Sequence, residues 1–155
     1  MNVLYYSRSR KEELESKLNV KWSSNINTLL KESDYICVLV PLSKDTEHII
    51  SVDEFKLMKK SAFLINTSRG KTVDQKALIN ALESNSIAGA ALDVTDPEPI
   101  EIDSKLLSMK NVLIVPHISS ASTKTIENMG LMAAKNITLG LSGQEMLSCV
   151  NADKF

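Results

Sequence analysis

Short apolar runs alternate with amphipathic segments along the chain. The apolar runs predict strands at residues 2–6, 35–40, 62–65, 87–94 and 112–115. The run at 35–40 contains no polar alternation, which is typical of a strand covered on both faces. A shorter run, from Val20 to Trp22, predicts one further brief strand. The strand pattern therefore extends over most of the chain.

Between these runs, apolar residues recur three or four positions apart, as they do on one face of a helix. The longest such segment predicts a helix over residues 123–141. Ser24 is expected to cap an earlier helix, and two capping boxes, at 51–54 and 72–75, are expected to open two more. Strands alternating with helices predict an α/β fold with a parallel sheet.

The composition narrows the possible partners and the compartment. The 155 residues include 18 basic and 19 acidic ones, so we expect no nucleic-acid partner. No apolar stretch is long enough to span a bilayer, which predicts no membrane association. Cys37 and Cys149 have neither disulfide-framework density nor metal-ligand spacing, and Cys37 lies in an apolar run that predicts its burial. We expect no metal site and a reducing, cytoplasmic location.

Three ionisable residues follow the ends of apolar runs or lie between two of them: Arg69, Glu98 and His117. The carboxyl ends of parallel strands face one crevice, so these residues are candidates for one catalytic site. Taken singly, each has a more ordinary explanation as a surface cation, a turn residue or a local hydrogen-bonding group. His48 has no such neighbours in the sequence and is predicted to be structural.

The segments I-N-T-S-R-G, A-L-D-V-T-D-P-E-P and V-P-H-I-S-S-A-S resemble, in order and spacing, the nucleotide-binding domain of the D-isomer-specific 2-hydroxyacid dehydrogenases. They are most similar to the glyoxylate reductase/hydroxypyruvate reductase branch. The resemblance implies a Rossmann-type parallel sheet with helices on both faces, and a homodimer for the complete protein. It also implies hydride transfer from NADPH to a small 2-oxo acid, giving the D-2-hydroxy acid.

By the same resemblance, each of the three candidate residues has a role. Arg69 holds the substrate carboxylate, because a guanidinium matches a carboxylate bidentately. His117 donates the proton to the carbonyl oxygen. Glu98 orients the His117 ring and favours its protonated form.

The turn after the first strand, Ser7 to Arg10, bears on the choice of cofactor. Dinucleotide folds place a carboxylate here for the ribose hydroxyl, or an arginine for a 2′-phosphate. No acid occurs before Glu12, so we predict NADP(H), with NAD(H) as the alternative. Arg8 is the leading phosphate contact, whereas a solvated charge explains Arg10 equally well.

The resemblance adds further cofactor positions. Asp93 is expected near the nicotinamide carboxamide, with a helix or turn cap as the alternative. Ser119 stands where the family usually has glycine, so its side chain is expected to affect the local geometry. The remaining positions implied to line the cofactor cleft are Pro41, Thr67 and Ser120.

The chain contains no G-x-G-x-x-G segment and only five glycines. In the family that the chain resembles, that segment, one strand and a substrate domain precede the position of Met1. We therefore expect residues 1–143 to be a partial NAD(P)-binding domain and residues 144–155 to be a tail. The N-terminal strand of this chain, residues 2–6, is then expected either to pair with the strand at 35–40 or to lie apart from it. In either case we expect lowered stability and an exposed strand edge. Two other functions stay open: a non-catalytic NAD(P)-responsive module of corepressor type, and an inactive truncated product.

Overall fold

In the computed structural model, which describes residues 1–152, each strand runs parallel to its neighbours. The strands are β1 (Val3–Tyr5), β2 (Val20–Trp22), β3 (Tyr35–Val38), β4 (Phe63–Asn66), β5 (Gly89–Leu92) and β6 (Val112–Ile114). They form a two-stranded sheet, β1-β2, and a four-stranded sheet of order β3-β4-β5-β6. The predicted α/β class with a parallel sheet is confirmed.

Helices connect most of these strands, as the alternating pattern predicts. The α-helices are α1 (Glu12–Leu18), α2 (Ile26–Glu32), α3 (Val52–Leu57), α4 (Gln75–Glu83) and α5 (Thr123–Leu141), and two 3-10 helices span Gly70–Thr72 and Lys105–Ser108. The prediction of a long helix over residues 123–141 is confirmed. The chain divides into two compact units, the first comprising residues 1–117 and the second beginning at Ile118.

Two predicted helix starts are displaced in the structure. The side chain of Asn25, not Ser24, caps α2 by accepting a hydrogen bond from the Asn27 N–H. The predicted capping box at 72–75 is wrong, because Asp74 caps α4 by accepting from the N–H groups of Lys76 and Ala77. An aspartate oxygen reaches these donors from the position just before the helix, so it competes well with a threonine further upstream.

One apolar core holds the first unit together. Helices α2, α3 and α4 bury Leu30, Phe55 and Leu78 in it, and the sheet contributes residues such as Leu64 and Leu92. All five side chains are at most 3% exposed. Burying an aliphatic or aromatic side chain of this size contributes about 1.5–3 kcal/mol, so this cluster is the main source of stability of the unit.

The strand β3 is exposed on one face, which contradicts the prediction that it is covered on both. Ile36 and Val38 are buried, but Tyr35 is 64% exposed and the thiol-bearing residue Cys37 is exposed too. The predicted burial of Cys37 is therefore wrong. The strand also ends at Val38 rather than at residue 40. An uninterrupted apolar run does not distinguish a strand covered on both faces from one that is covered on a single face.

The N-terminal strand lies apart from the larger sheet, which is the second of the two arrangements that we expected. It pairs with β2 in the register Val3↔Val20 and Tyr5↔Trp22, and it does not pair with β3. The Ser23 N–H donates to the Tyr5 carbonyl at 2.8 Å, which continues the pairing by one residue.

The second unit contains α5 and the segment after it. Ser122 caps α5 by accepting from the Thr125 N–H, and the Ser148 N–H donates to Asn136 Oδ1 at 3.2 Å, so the chain folds back along the helix. The predicted tail begins within this folded-back segment, and its residues 153–155 lie outside the described residues. Within residues 1–152, no helix combines the length and apolarity that crossing a membrane requires.

Candidate active site

Three neighbouring strands deliver the polar residues of the candidate site to one rim of the sheet. Arg69 lies three residues beyond β4, Asp93 directly follows β5, and His117 lies three residues beyond β6. The strands β4, β5 and β6 are adjacent and parallel, so their carboxyl ends share a rim. The sequence therefore places these groups at the edge where an open parallel sheet builds a site.

His117 and Glu98 are in direct contact. The Nδ1 atom of His117 lies 2.6 Å from Oε1 of Glu98, and both side chains are partly exposed, at 43% and 40%. With Nδ1 engaged by the carboxylate, Nε2 is the ring nitrogen left to exchange a proton. The two residues are 19 positions apart, so the pair is a product of the fold.

The backbone of His117 is held in an unusual conformation. Its φ angle is 52°, in the left-handed region that few non-glycine residues adopt. Its N–H donates to the carbonyls of Asp93 and Val115, each at 3.0 Å. These bonds fix the direction in which the imidazole leaves the strand.

A buried polar network shapes the turn that carries Arg69. Asn66, which is 1% exposed, donates through Nδ2 to the Arg69 carbonyl at 3.1 Å and accepts the Ser68 N–H at 3.0 Å. The Thr72 hydroxyl donates to the same Arg69 carbonyl at 2.7 Å. The Arg69 side chain is exposed and donates through Nη1 to the Ser68 carbonyl at 2.6 Å. The turn is thus rigid while the guanidinium lies at the surface.

Two further residues join the Arg69 turn to the loop that carries Glu98. A Cβ on Gly70 would overlap the carbonyl carbon and oxygen of Thr95 and would lie 2.8 Å from the Asp96 nitrogen. The Asp96 N–H donates to Oε1 of Gln75 at 3.1 Å. Only glycine allows this close backbone approach, which brings the Arg69 turn against the start of the Glu98 loop.

The carboxylate of Asp74, which caps α4, is stabilised in its charged form. The Ala77 N–H makes the largest contribution in lowering the pKa of Asp74, and the Ser51 hydroxyl, at 3.0 Å, and the Lys76 N–H add to it. A carboxylate that accepts several hydrogen bonds holds its charge to lower pH. Asp74 therefore secures the start of α4, from which Gln75 reaches the Glu98 loop.

The predicted cofactor residues of the turn after β1 are in different situations. Arg8 is exposed and has no hydrogen bond or ion pair to any other of residues 1–152. Arg10 is bound to Glu15 through two hydrogen bonds of 2.8 Å, so it is held by an ion pair and is not simply a solvated charge. The Ser7 hydroxyl donates to the Ser9 carbonyl at 2.7 Å, which keeps the turn tight. Of the two arginines on this turn, Arg8 is therefore the one whose guanidinium is available to bind an anion.

The other predicted cofactor residues are spread over the rim and the second unit. Pro41 follows β3 and is exposed, Thr67 follows β4 and is half-buried, and Asp93 is buried after β5. Ser119 and Ser120 belong to the second unit, where they directly follow Ile118. Their contacts with a cofactor stay predictions.

Sequence reasoning assigned no role to Asn66 and Gly70, and it placed Gln75 in a capping box and not against the Glu98 loop. The only available signal was their position: Asn66 ends an apolar run, and Gly70 is one of five glycines in the chain. The contacts of Gly70 and Gln75 join segments at least 20 residues apart, and no local pattern encodes them. Among residues 1–152, no group of three or more His, Cys, Asp or Glu side chains is placed to hold a metal ion.

Comparison with known proteins adds independent findings. Residues 1–119 match the family model described as D-isomer specific 2-hydroxyacid dehydrogenase, NAD binding domain. The chain is 45% identical, over 151 residues, to glyoxylate/hydroxypyruvate reductase B of Cronobacter sakazakii, covering 97% of this chain and 46% of that relative. It thus spans about half the length of the curated relatives it matches.

Solved structures give the same picture. A glyoxylate reductase from Paecilomyes thermophila matches with a TM-score of 0.89 and 33% identity, covering 99% of this chain and 46% of that one. The NADPH-dependent glyoxylate/hydroxypyruvate reductase of Sinorhizobium meliloti, solved with NADP and malonate, matches with a TM-score of 0.88 and 32% identity, covering 97% and 46%. At these identities the likeness extends beyond the fold to the sequence.

Proposed function

Because the chain belongs to the D-isomer-specific 2-hydroxyacid dehydrogenase family, we propose that it is part of an NADPH-dependent reductase acting on a small 2-oxo acid such as glyoxylate or hydroxypyruvate. In this proposal, residues 1–143 are part of an NAD(P)-binding domain. The observation that carries the proposal is the 2.6 Å contact between His117 and Glu98 on the rim that also bears Arg69.

The family's nicotinamide cofactor would supply the hydride when bound. The chain's own residues would then supply the proton and the charge. His117 would donate a proton from Nε2 to the carbonyl oxygen, while Glu98 holds Nδ1 and stabilises the charged ring. Arg69 would bind the substrate carboxylate, because its guanidinium is always charged and pairs with both carboxylate oxygens.

The preference for NADPH over NADH is supported by Arg8. This arginine follows β1 and is free of ion pairs within residues 1–152, and no acid precedes Glu12 on the turn. An arginine here compensates the 2′-phosphate charge, whereas a carboxylate here commonly binds the ribose hydroxyl of NAD. The family relative from Sinorhizobium meliloti is described as NADPH-dependent.

We further propose that the complete protein is a cytoplasmic homodimer. The two free cysteines, Cys37 and Cys149, support a reducing compartment. Light scattering of the complete protein measures its oligomeric state, and fractionation of cells measures its location.

A chimera tests the catalytic proposal. In it, this chain replaces the matching 46% of the Cronobacter sakazakii relative, and the rest of that relative completes the protein. We expect the chimera to reduce glyoxylate and hydroxypyruvate with NADPH. The His117→Ala variant should lose about 10²–10⁴ in kcat.

The other histidine of the chain provides the matched control. His48 also has a positive φ, of 53°, and its N–H donates to the Lys71 carbonyl at 2.8 Å, but it has no place among the proposed catalytic residues. His48→Ala should therefore keep the rate. Full turnover in the His117→Ala chimera would remove the role of His117. A folded chimera that turns over with neither cofactor would contradict the proposed function.

A further inference from the structure

Two arginines, Arg8 and Arg10, lie on the turn after β1, and their side chains have different contacts. Arg10 is held by surrounding side chains, whereas Arg8, two residues earlier, has no polar partner within residues 1–152. Both were candidates for a phosphate contact. The difference between them rests on Glu15, a residue of α1 to which the proposed function assigns no role.

The guanidinium of Arg10 is occupied on most sides. Its Nε and Nη2 atoms each donate to a different oxygen of Glu15 at 2.8 Å, which is the bidentate geometry that a phosphate would also use. Its Nη1 atom lies 3.4 Å from Oε1 of Glu12, and its Cζ lies 5.6 Å from the centre of the Trp22 ring. A phosphate that binds Arg10 must therefore first displace a carboxylate.

The Glu15 carboxylate is itself fixed in place. Its side chain is only 16% exposed, and Oε1 also accepts a hydrogen bond from the Tyr5 hydroxyl at 2.8 Å. The same hydroxyl accepts the Lys11 N–H at 2.7 Å, which ties Tyr5 to the start of α1. The hydrogen bonds from Arg10, followed by that from Tyr5, lower the pKa of Glu15 to about 2, so the carboxylate is charged at neutral pH.

We propose that Glu15 is a specificity-determining residue, which binds Arg10 and leaves Arg8 as the arginine of this turn that contacts a 2′-phosphate. Glu15 thereby limits the preference of the protein for 2′-phosphorylated over unphosphorylated nucleotide. The inference rests on the proposed function only for the place where the phosphate binds. It concerns nucleotide binding and does not require His117 or a substrate.

Removal of the Glu15 charge should release Arg10. A glutamine has nearly the same size and still accepts from Tyr5, but it holds a guanidinium more weakly than a carboxylate does. The freed guanidinium, whose Cζ lies 5.6 Å from the centre of the Trp22 ring, can then turn its donors towards the phosphate. The turn then offers two cations instead of one.

The test uses this chain and two defined probes, adenosine 2′,5′-bisphosphate and 5′-AMP, titrated by calorimetry. Glu15→Gln should bind the bisphosphate at least about threefold more tightly than the wild type, with 5′-AMP binding unchanged. The matched control is Glu13→Gln on the same helix, which changes the net charge equally but touches neither arginine. It should leave binding of both probes unchanged.

Arginine variants complete the comparison. Arg8→Gln should weaken bisphosphate binding in both the wild-type and Glu15→Gln backgrounds. Arg10→Gln should have no effect in the wild type and should abolish the gain in the Glu15→Gln background. Fluorescence of Trp22, the single tryptophan, verifies that each variant keeps the β1–α1–β2 structure.

Three results would overturn the proposal. One is an equal gain in Glu13→Gln and Glu15→Gln, which would mean that net charge alone acts. Another is an equal loss in Arg10→Gln and Arg8→Gln in the wild-type background. The third is the absence of bisphosphate binding in the wild type and Glu15→Gln alike. None of these three binding results depends on turnover. A failure of the proposed reductase activity would appear only in the kinetics of the chimera, so the two failures can be distinguished.

Discussion

Glu98 contacts His117 through a single short hydrogen bond, and the charge of Glu98 is predicted to matter as much as its position. In the chimera, Glu98→Gln keeps an oxygen that accepts from Nδ1 of His117 but removes the negative charge beside the ring. We expect kcat to fall about tenfold, and about a hundredfold for Glu98→Ala, which also frees the ring. Steady-state kinetics with NADPH and glyoxylate measure the effect.

Glu101 supplies the control for this prediction, because it is an exposed carboxylate three residues further along the chain. Glu101→Gln should leave kcat unchanged. Equal rates in Glu98→Gln and the unmodified chimera would show that the carboxylate charge is not used. If kcat falls only in Glu98→Ala, the role of Glu98 is limited to orienting the His117 ring.

Gly70 is predicted to be irreplaceable for steric reasons. The Cβ of Gly70→Ala would overlap the Thr95 carbonyl. Because that carbonyl belongs to the backbone and cannot rotate away, the Arg69 turn and the Glu98 loop must separate. We expect a loss of roughly 1–3 kcal/mol in the free energy of unfolding. Urea unfolding of the isolated chain measures it.

Gly130 offers the opposite case within the same chain. It lies inside α5, and a Cβ there would meet no atom within 4 Å. Gly130→Ala should therefore stabilise by about 0.5–1 kcal/mol, because alanine loses less backbone entropy in a helix. If both variants changed stability by the same amount and sign, the close approach at Gly70 would not be the cause.

At the scale of single residues, sequence reasoning proposed three candidate catalytic side chains but not the residues that hold them in place. Arg69, Glu98 and His117 stand in motifs that can be read directly. The contacts of Gly70 with Thr95 and of Gln75 with Asp96 join residues at least 20 positions apart. Such contacts depend on the register of neighbouring strands, which a single sequence does not specify.

At the scale of elements, the β1–α1–β2 segment is predicted to respond to acid through Glu15. The pKa of Glu15 lies at about 2 in the folded chain, against an ordinary value of 4.5, chiefly because Arg10 binds the charged form. A lowered pKa gives stability that is complete above about pH 4.5 and is lost as the pH falls towards about 2. Trp22, which lies under Arg10, should report this loss by a fluorescence change in that pH window.

Two variants test the assignment of this transition. Glu15→Gln should remove the Trp22 fluorescence change between pH about 4.5 and about 2, because the titrating group is gone. Glu13→Gln on the same helix should retain it. A transition of unaltered size in Glu15→Gln would show that another group is responsible.

The elements themselves were largely predictable, and their ends were not. Periodicity identified α5 with its observed bounds, because a long amphipathic pattern is a strong signal. The observed capping residues of α2 and α4 are Asn25 and Asp74, not the predicted Ser24 and Thr72. The difference arises because several polar residues near each helix start compete for the same N–H groups. Local sequence offers the candidate caps, and tertiary packing selects one.

At the scale of the whole chain, β1 and β2 form a sheet separate from the four-stranded one. Sequence reasoning predicted this separation as one of two outcomes, because it depends on which partners the backbone of β3 finds. The exposure of one face of β3 was not predicted. An apolar run shows that a strand prefers burial, but the covering element determines whether burial is achieved.

That exposed face is an open apolar surface of the larger sheet, formed by Tyr35, Cys37, Phe63 and Leu113. The register Cys37↔Ile65↔Ala91↔Leu113 places these side chains on one side, and Tyr35 stacks on Phe63 at 5.7 Å between ring centres. Tyr35 and Leu113 are 64% and 62% exposed. Parallel sheets are normally covered on both faces, so we expect the isolated chain to self-associate through this surface.

Leu113→Lys tests this expectation, because it places a charge in the open face without touching the core. Self-association, measured by dynamic light scattering over a range of concentrations, should decrease, and the melting temperature should stay within a few degrees. Leu107→Lys, at a 50% exposed position in the 3-10 helix Lys105–Ser108, should leave association unchanged. A wild-type chain that stays monomeric at every concentration and melts as cooperatively as a complete relative would contradict the expectation, since a covered sheet is what confers both properties.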